Sequence, residues 1–263
     1  MAADYTTILY GDADAPVARI TLNRPAKRNP IGPRTIAELR HAFGRAKADA
    51  AIRAVVLTGT GEAFSAGGDL SAMSGGGEDP AGTDLPAGSL VDLLEDMHAL
   101  GKPIVASVNG HALAGGLGLM LACDLALASD KATFGTTEVK VGLWPMMITA
   151  EIVRNIGRKK ALELMLTGDR INAAEAERIG LINRVVPHDE LDAEAMALAH
   201  KLARRSPAVI AKGLDAFYRA QDMSYGDALR FLEGKLGEVL ALEDAREGLM
   251  AFLQKREPNF KGR

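Results

Sequence analysis

The chain has 263 residues, 48% of them apolar and 25% charged, with a formal net charge of −3. That length supports one sizeable core with or without an appendage, and the charge excludes whole-chain electrostatic recruitment to nucleic acid or an anionic membrane. The single cysteine, Cys123, excludes an internal disulfide and fits the reducing cytoplasm. No basic-then-apolar leader is visible, no apolar run reaches the roughly 20 residues of a membrane span, and no His/Cys spacing suits zinc.

In chain order, Val17–Leu22 alternates as a half-buried strand, with Thr6–Tyr10 as a pairing partner. Pro33 opens a helix where its missing N–H costs little, and Ile36, Leu39, Phe43 and Ala46 give that helix one apolar stripe. Ala54–Leu57, ending at Gly59-Thr60-Gly61, predicts a buried strand. Ser74–Gly88, rich in Gly, Pro and Asp, predicts a mobile surface loop. Ser89 is placed to cap a helix whose face is Leu90, Leu93, Leu94, Met97 and Leu100. Pro103–Val108 and Leu125–Ala128 read as strands on either side of an apolar helix from Gly115 to near Cys123. This alternation predicts an α/β core with a largely parallel sheet.

The second half is mostly helical from Glu151 onward. Asn172 with Glu175 has the spacing of a capping box. Leu181–Val186 reads as one more strand, stopped by Pro187. Leu191–Arg205, Pro207–Gln221, Ser224–Leu242 and Asp244–Lys255 read as helices. A composition shift near residue 200 divides the chain into a core, 1–200, and a helical region, 201–263.

Three readings compete for the glycine-containing loops. Gly59-Thr60-Gly61 follows a strand as a dinucleotide fingerprint does, but Phe64 stands where the third glycine belongs, and no glycine-rich loop ends in Lys-Ser or Lys-Thr. Ser65 follows a strand as a hydrolase nucleophile does, but Ala63 replaces the first glycine of the elbow. The third reading takes two loops together: Ala63–Leu70, and Val108–Gly118, which runs into a helix. Each can aim one backbone N–H at a shared oxygen, and the helix N-terminus behind the second strengthens its donor. Small residues there let a ligand approach the backbone.

The ordered set Asn23-Arg24-Pro25-Ala26-Lys27-Arg28-Asn29, Phe64–Leu70, Val108–Gly116, Cys123-Asp124-Leu125, Phe134–Gly142 and Phe252–Phe260 resembles the enoyl-CoA hydratase/isomerase (crotonase) superfamily across the whole chain. The resemblance implies an α/β fold, a crotonase-like spiral of ββα turns with a C-terminal helical trimerisation region, assembled as a homotrimer or dimer of trimers. It implies an acyl-CoA substrate and no separate cofactor. It places the oxyanion amides on Ala66 and Gly115, and coenzyme A along Ala26, Lys27 and Arg28 and the loop Ala66, Gly68, Asp69 and Leu70. Lys27 and Arg28 would face the phosphates, joined by Lys255, Arg256 and Lys261 of a neighbouring subunit.

Hydratases of that family resemble a two-glutamate machine, since adding water across a double bond is served by a base on water and an acid at the adjacent carbon. Glu138, in Phe134-Gly135-Thr136-Thr137-Glu138-Val139, matches one glutamate; the position of the other is Gly118. The family's Pro-Gly-Ala-Gly-Gly segment is replaced by Pro145-Met146-Met147-Ile148-Thr149, and Trp144, Met146 and Met147 are candidates to shape the acyl pocket. A single carboxylate suits double-bond isomerisation by proton shuttling. The alternatives are 2-enoyl-CoA hydration, other acyl-CoA chemistry, and a non-catalytic acyl-CoA binder. Asp69 and Asp124 are further carboxylates, both read as structural.

Overall fold

The computed structural model describes residues 5–73 and 85–263; the predicted loop Ser74–Gly88 lies outside the described residues over 74–84. The strands are β1 (Ile8–Asp14), β2 (Val17–Leu22), β3 (Ala54–Gly59), β4 (Ala63–Ser65), β5 (Ile104–Val108), β6 (His111–Leu113), β7 (Leu125–Ser129), β8 (Thr133–Gly135), β9 (Ile171–Asn172) and β10 (Arg184–Val186). The helices are α1 (Pro33–Ala48), α2 (Leu70–Met73), α3 (Leu90–His98), α4 (Gly115–Leu121), α5 (Met146–Asn155), α6 (Arg158–Thr167), α7 (Ala173–Arg178), α8 (Leu191–Ala203), α9 (Pro207–Ala220), α10 (Tyr225–Leu240) and α11 (Glu243–Leu253).

The strands form two sheets, ordered β1-β2-β3-β5-β7-β10 and β4-β6-β8-β9. All neighbours are parallel except β1 with β2 and β8 with β9. Successive turns therefore place one strand in the first sheet, the next in the second, and then enter a helical segment. The core lies between the sheets and under α1, α3 and α4. Phe43, Phe64 and Phe134 are fully buried there, and each contributes about 1.5–3 kcal/mol of apolar burial. Phe64 on β4 and Phe134 on β8 anchor the short second sheet directly beneath the loops that leave it. On the outer face of the first sheet, Val17, Ala54, Val56, Val105 and Leu127 are covered by Leu191, Ala195, Ala199 and Ala203 of α8.

Local chemistry explains where the elements begin. Ser89 caps α3 as expected, and Asp92 returns the bond to complete a reciprocal capping box. Asn172 caps α7 by accepting from the Glu175 N–H at 2.9 Å, but the Glu175 carboxylate turns to Arg178, so only half of that box forms. The first strand starts at Ile8 because the amides of Thr6 and Thr7 are taken by the fully buried Glu38 carboxylate, at 2.9 and 2.8 Å. The predicted strand Leu181–Val186 shortens to Arg184–Val186, because Leu181 N–H closes the end of α7 on the Ala176 carbonyl. The four C-terminal helices fall within two residues of their predicted bounds. No helix among the described residues is long and apolar enough to cross a membrane.

Candidate active site

Because β4, β6 and β8 are adjacent and parallel, their C-terminal ends lie side by side, about 5 Å apart per strand step. The segments leaving them meet at one edge. Ala66, Gly68 and Asp69 follow β4, Ala114 and Gly115 follow β6, and Thr137 and Glu138 follow β8. All seven line one cavity of about 540 Å³.

The backbone amides of the first segment are nearly all spent. Ala66 N–H donates to the Arg28 carbonyl at 2.9 Å, Gly67 N–H to Ser65 Oγ at 3.2 Å, and Asp69 N–H to the Ile31 carbonyl at 3.0 Å. Among the described residues, Gly68 N–H has no such internal acceptor. Gly115 N–H, at the first position of α4, lacks an intrahelical one. A Cβ added to Gly115 would stand 3.6 Å from Gly68 N, so the two amides are neighbours. Ala66 N–H, the amide expected to serve as an oxyanion donor, is thus committed to the Arg28 carbonyl, and the uncommitted amide lies two residues on, at Gly68.

Backbone strain holds the pair together. Ala114 sits at φ 51°, a region that costs a residue with a Cβ roughly 1–3 kcal/mol. Its N–H is fixed to the Gly135 carbonyl at 2.9 Å. Gly67 sits at φ 102°, and a Cβ there would meet the Ala114 Cβ at 2.6 Å. Only glycine satisfies both the conformation and the close approach.

Glu138 enters the cavity from a 3-10 turn, Thr137–Val141. That turn is anchored by the buried Thr136 hydroxyl, which donates to the Leu164 carbonyl at 2.8 Å. Glu138 Oε2 is buried and has no hydrogen-bond partner among the described residues. Burial pushes the carboxyl above its ordinary range, against a small opposing contribution from its own backbone amide. The result is a half-buried carboxyl with one buried, proton-accepting oxygen that no other described residue engages.

The other carboxyls are tied down. Burial alone would raise Asp69, but Arg24 Nη1 at 3.0 Å and the amides of Ala72 and Ser71 outweigh it and hold Asp69 below the usual carboxylate range. Asp124 starts β7 and lies elsewhere, where burial pushes it up while Tyr218 Oη and Ile104 N–H donate to it at 2.5 and 2.7 Å. Ser65 is fully buried and donates to the Asn29 carbonyl at 2.7 Å, so it is a turn residue and not an exposed nucleophile. Ser65→Ala is expected to lose about 1–3 kcal/mol of stability by orphaning buried groups while leaving turnover within a few-fold. Thermal melts and initial rates check this, and complete loss of turnover in a folded variant would restore the nucleophile reading.

Ala26, Lys27 and Arg28 are exposed on a turn beside the cavity rim. Asn29, buried at φ 53°, staples that turn, with Nδ2 donating to the Thr60 and Ala63 carbonyls and Oδ1 accepting from Arg24 N–H. The cavity walls are apolar, with Leu70, Leu143, Trp144, Met146 and Met147 around the mouth and Ile148 deeper in. Lys255 and Lys261 are not among the lining residues. Lys255 is exposed just past α11, and Lys261 borders a separate polar hollow with Glu243 and Glu247. The sequence reasoning missed Asn29 as a staple and Gly68 as a donor; the tandem Gly67-Gly68 was the available signal for the second.

Two sheets wound as a spiral, with adjacent amides and a half-buried carboxylate lining one cavity, define a crotonase-fold acyl-CoA enzyme. The sequence profile described as enoyl-CoA hydratase/isomerase matches residues 12–263, and the chain belongs to that family. Among its relatives, the 2,3-dehydroadipyl-CoA hydratase of Escherichia coli is 36% identical over 252 residues, spanning 94% of this chain and 96% of that one. The crystal structure of a Mycobacterium smegmatis enoyl-CoA hydratase superposes with a TM-score of 0.88 at 33% identity, covering 97% of this chain and 99% of the other. A Bacillus anthracis enoyl-CoA hydratase structure gives 0.88 at 32% identity, covering 98% and 100%.

Proposed function

We propose that the protein isomerises 3-enoyl-CoA thioesters to the conjugated 2-enoyl-CoA, with Glu138 as the only acid–base group. The observation that carries this reading is the Glu138 carboxyl, which alone among the described groups of the cavity has a buried oxygen with no partner. Glu138 removes a proton from C2, and the C–H electron pair passes into a dienolate whose oxygen accepts from Gly68 N–H and Gly115 N–H. The dienolate then takes the proton back from Glu138 at C4, moving the double bond from C3–C4 to C2–C3. Each amide supplies about 3 kcal/mol to the transition state. No metal or nucleotide enters these steps, and we infer that none is needed. Coenzyme A would lie along Ala26–Arg28 and Ala66–Leu70, with the acyl chain against Trp144, Met146 and Met147.

Hydration of 2-enoyl-CoA is the second reading, favoured by the relatives named hydratases. Among the described residues it lacks a second free acid in the cavity, since Asp69 is held by Arg24. Assembly as a homotrimer or dimer of trimers would cover the exposed apolar residues of α9–α11, including Phe217, Leu236 and Phe252, and would bring a neighbour's Lys255 and Lys261 toward the coenzyme A phosphates.

The pH–rate profile tests the isomerase reading. Glu138 must be deprotonated to act, and its carboxyl is raised. The kcat/KM on a 3-enoyl-CoA should therefore rise with pH through a single ionisation above the ordinary carboxylate value. A profile flat across that range would remove Glu138 as the base.

A further inference from the structure

We propose that Ile148 determines which reaction the site performs, by filling the space through which a second carboxyl at position 118 would reach the substrate. This rests on the reading of Glu138 as the sole acid–base group. Position 118 follows Gly115 by three residues on α4, so a side chain there would lie on the helix face that position 115 occupies. Gly118 is buried in α4. A Cβ placed on it would meet Ile148 Cγ2 at 2.1 Å and Ile148 Cβ at 2.7 Å.

These are the stiff atoms of a β-branched side chain, not the tip of a flexible one. Ile148 is itself 2% exposed on α5 and lines the cavity. Ile148 thus lines the cavity where Gly118, packed behind it, does not. Interior packing leaves no room for both side chains.

The consequence is chemical. Hydration bonds a water oxygen to C3 while one carboxylate takes the proton that water releases. The C2–C3 electron pair collects in the enolate, and a carboxylic acid delivers a proton to C2. With Ile148 in place, the second acid is excluded and the cavity presents an apolar wall, so the dienolate is reprotonated by Glu138.

The test uses the full chain with Gly118→Glu, Ile148→Gly and the two combined. Glycine is needed at 148 because the Ile148 Cβ alone already collides. The parent should isomerise a 3-enoyl-CoA and hydrate a 2-enoyl-CoA poorly. Gly118→Glu alone should hydrate no better, and the combination should gain about 100-fold in hydration over Gly118→Glu.

A Gly118→Ala by Ile148→Gly cycle supplies a readout free of catalysis. Gly118→Ala should lower the melting temperature by several degrees beside Ile148 and scarcely at all beside Ile148→Gly. Equal losses in both backgrounds, a Gly118→Glu variant that hydrates as well as the combination, or a folded combination that gains no hydration would overturn the proposal. Efficient hydration by the parent would instead sink the isomerase reading itself.

Discussion

Glu138→Gln is expected to reduce isomerisation of a 3-enoyl-CoA by about 10²–10⁴-fold, the range that a positioned general base supplies, while binding of the thioester is retained. The amide keeps the size of the carboxyl and removes only its capacity to carry a proton between C2 and C4. The same substitution has a stability signature of defined sign. Burial raises the Glu138 carboxyl in the folded state, so the folded protein holds that proton more tightly than the unfolded chain. The stabilisation this gives is complete below the unfolded value, about pH 4, and is lost as pH rises through the higher folded value. At neutral pH the unpartnered charge therefore costs stability. Glu138→Gln should melt above the parent at neutral pH, and the difference should vanish under acid. A variant that loses activity together with stability at neutral pH would mark Glu138 as a structural carboxylate.

Gly115→Pro is expected to lower kcat by about 10²–10³-fold, the effect of deleting one oxyanion donor. Gly115 is the first residue of α4, a position where proline is tolerated and the N–H is already without an intrahelical acceptor. The substitution removes the amide hydrogen at a helix position that accepts proline, but the ring presses on Ala114 at φ 51°, so a thermal melt and thioester binding are measured beside the rates. Gly115→Ala is the control, because its Cβ would lie at an ordinary 3.6 Å from Gly68 N and the N–H remains. Initial rates on both variants separate the amide from the side-chain space. Equal activity in the two would show that the Gly115 N–H does not bind the thioester oxygen.

The longer elements were legible because each carries a periodic pattern and a start signal. Pro33 opens α1, Ser89 caps α3, and the apolar stripes of the last four helices set their bounds closely. The second sheet was not legible. Its strands β4, β6 and β8 have three residues each, too short for alternation to register, and they read as parts of loops. Yet these strands bring the two amides and Glu138 to one edge.

Glu138 and Gly115, expected from their motif positions, both line the cavity. That Ala66 N–H is spent was hidden from the sequence, because it depends on which carbonyls the neighbouring turn offers; the tandem Gly67-Gly68 was the only local hint that the free amide lies further on. Arg28, at φ 59°, points its carbonyl at Ala66 N–H, a pairing across 38 residues that no local pattern encodes. The contact between Gly118 and Ile148, which joins α4 to α5, was hidden for the same reason.

The most direct test of the account is ultraviolet absorbance of the conjugated enoyl thioester, with purified protein and no added metal or nucleotide. One cuvette holds a 3-enoyl-CoA and the other a 2-enoyl-CoA. The account predicts rising absorbance in the first, abolished by Glu138→Gln, and little change in the second. A rapid fall in the second with no rise in the first would contradict it.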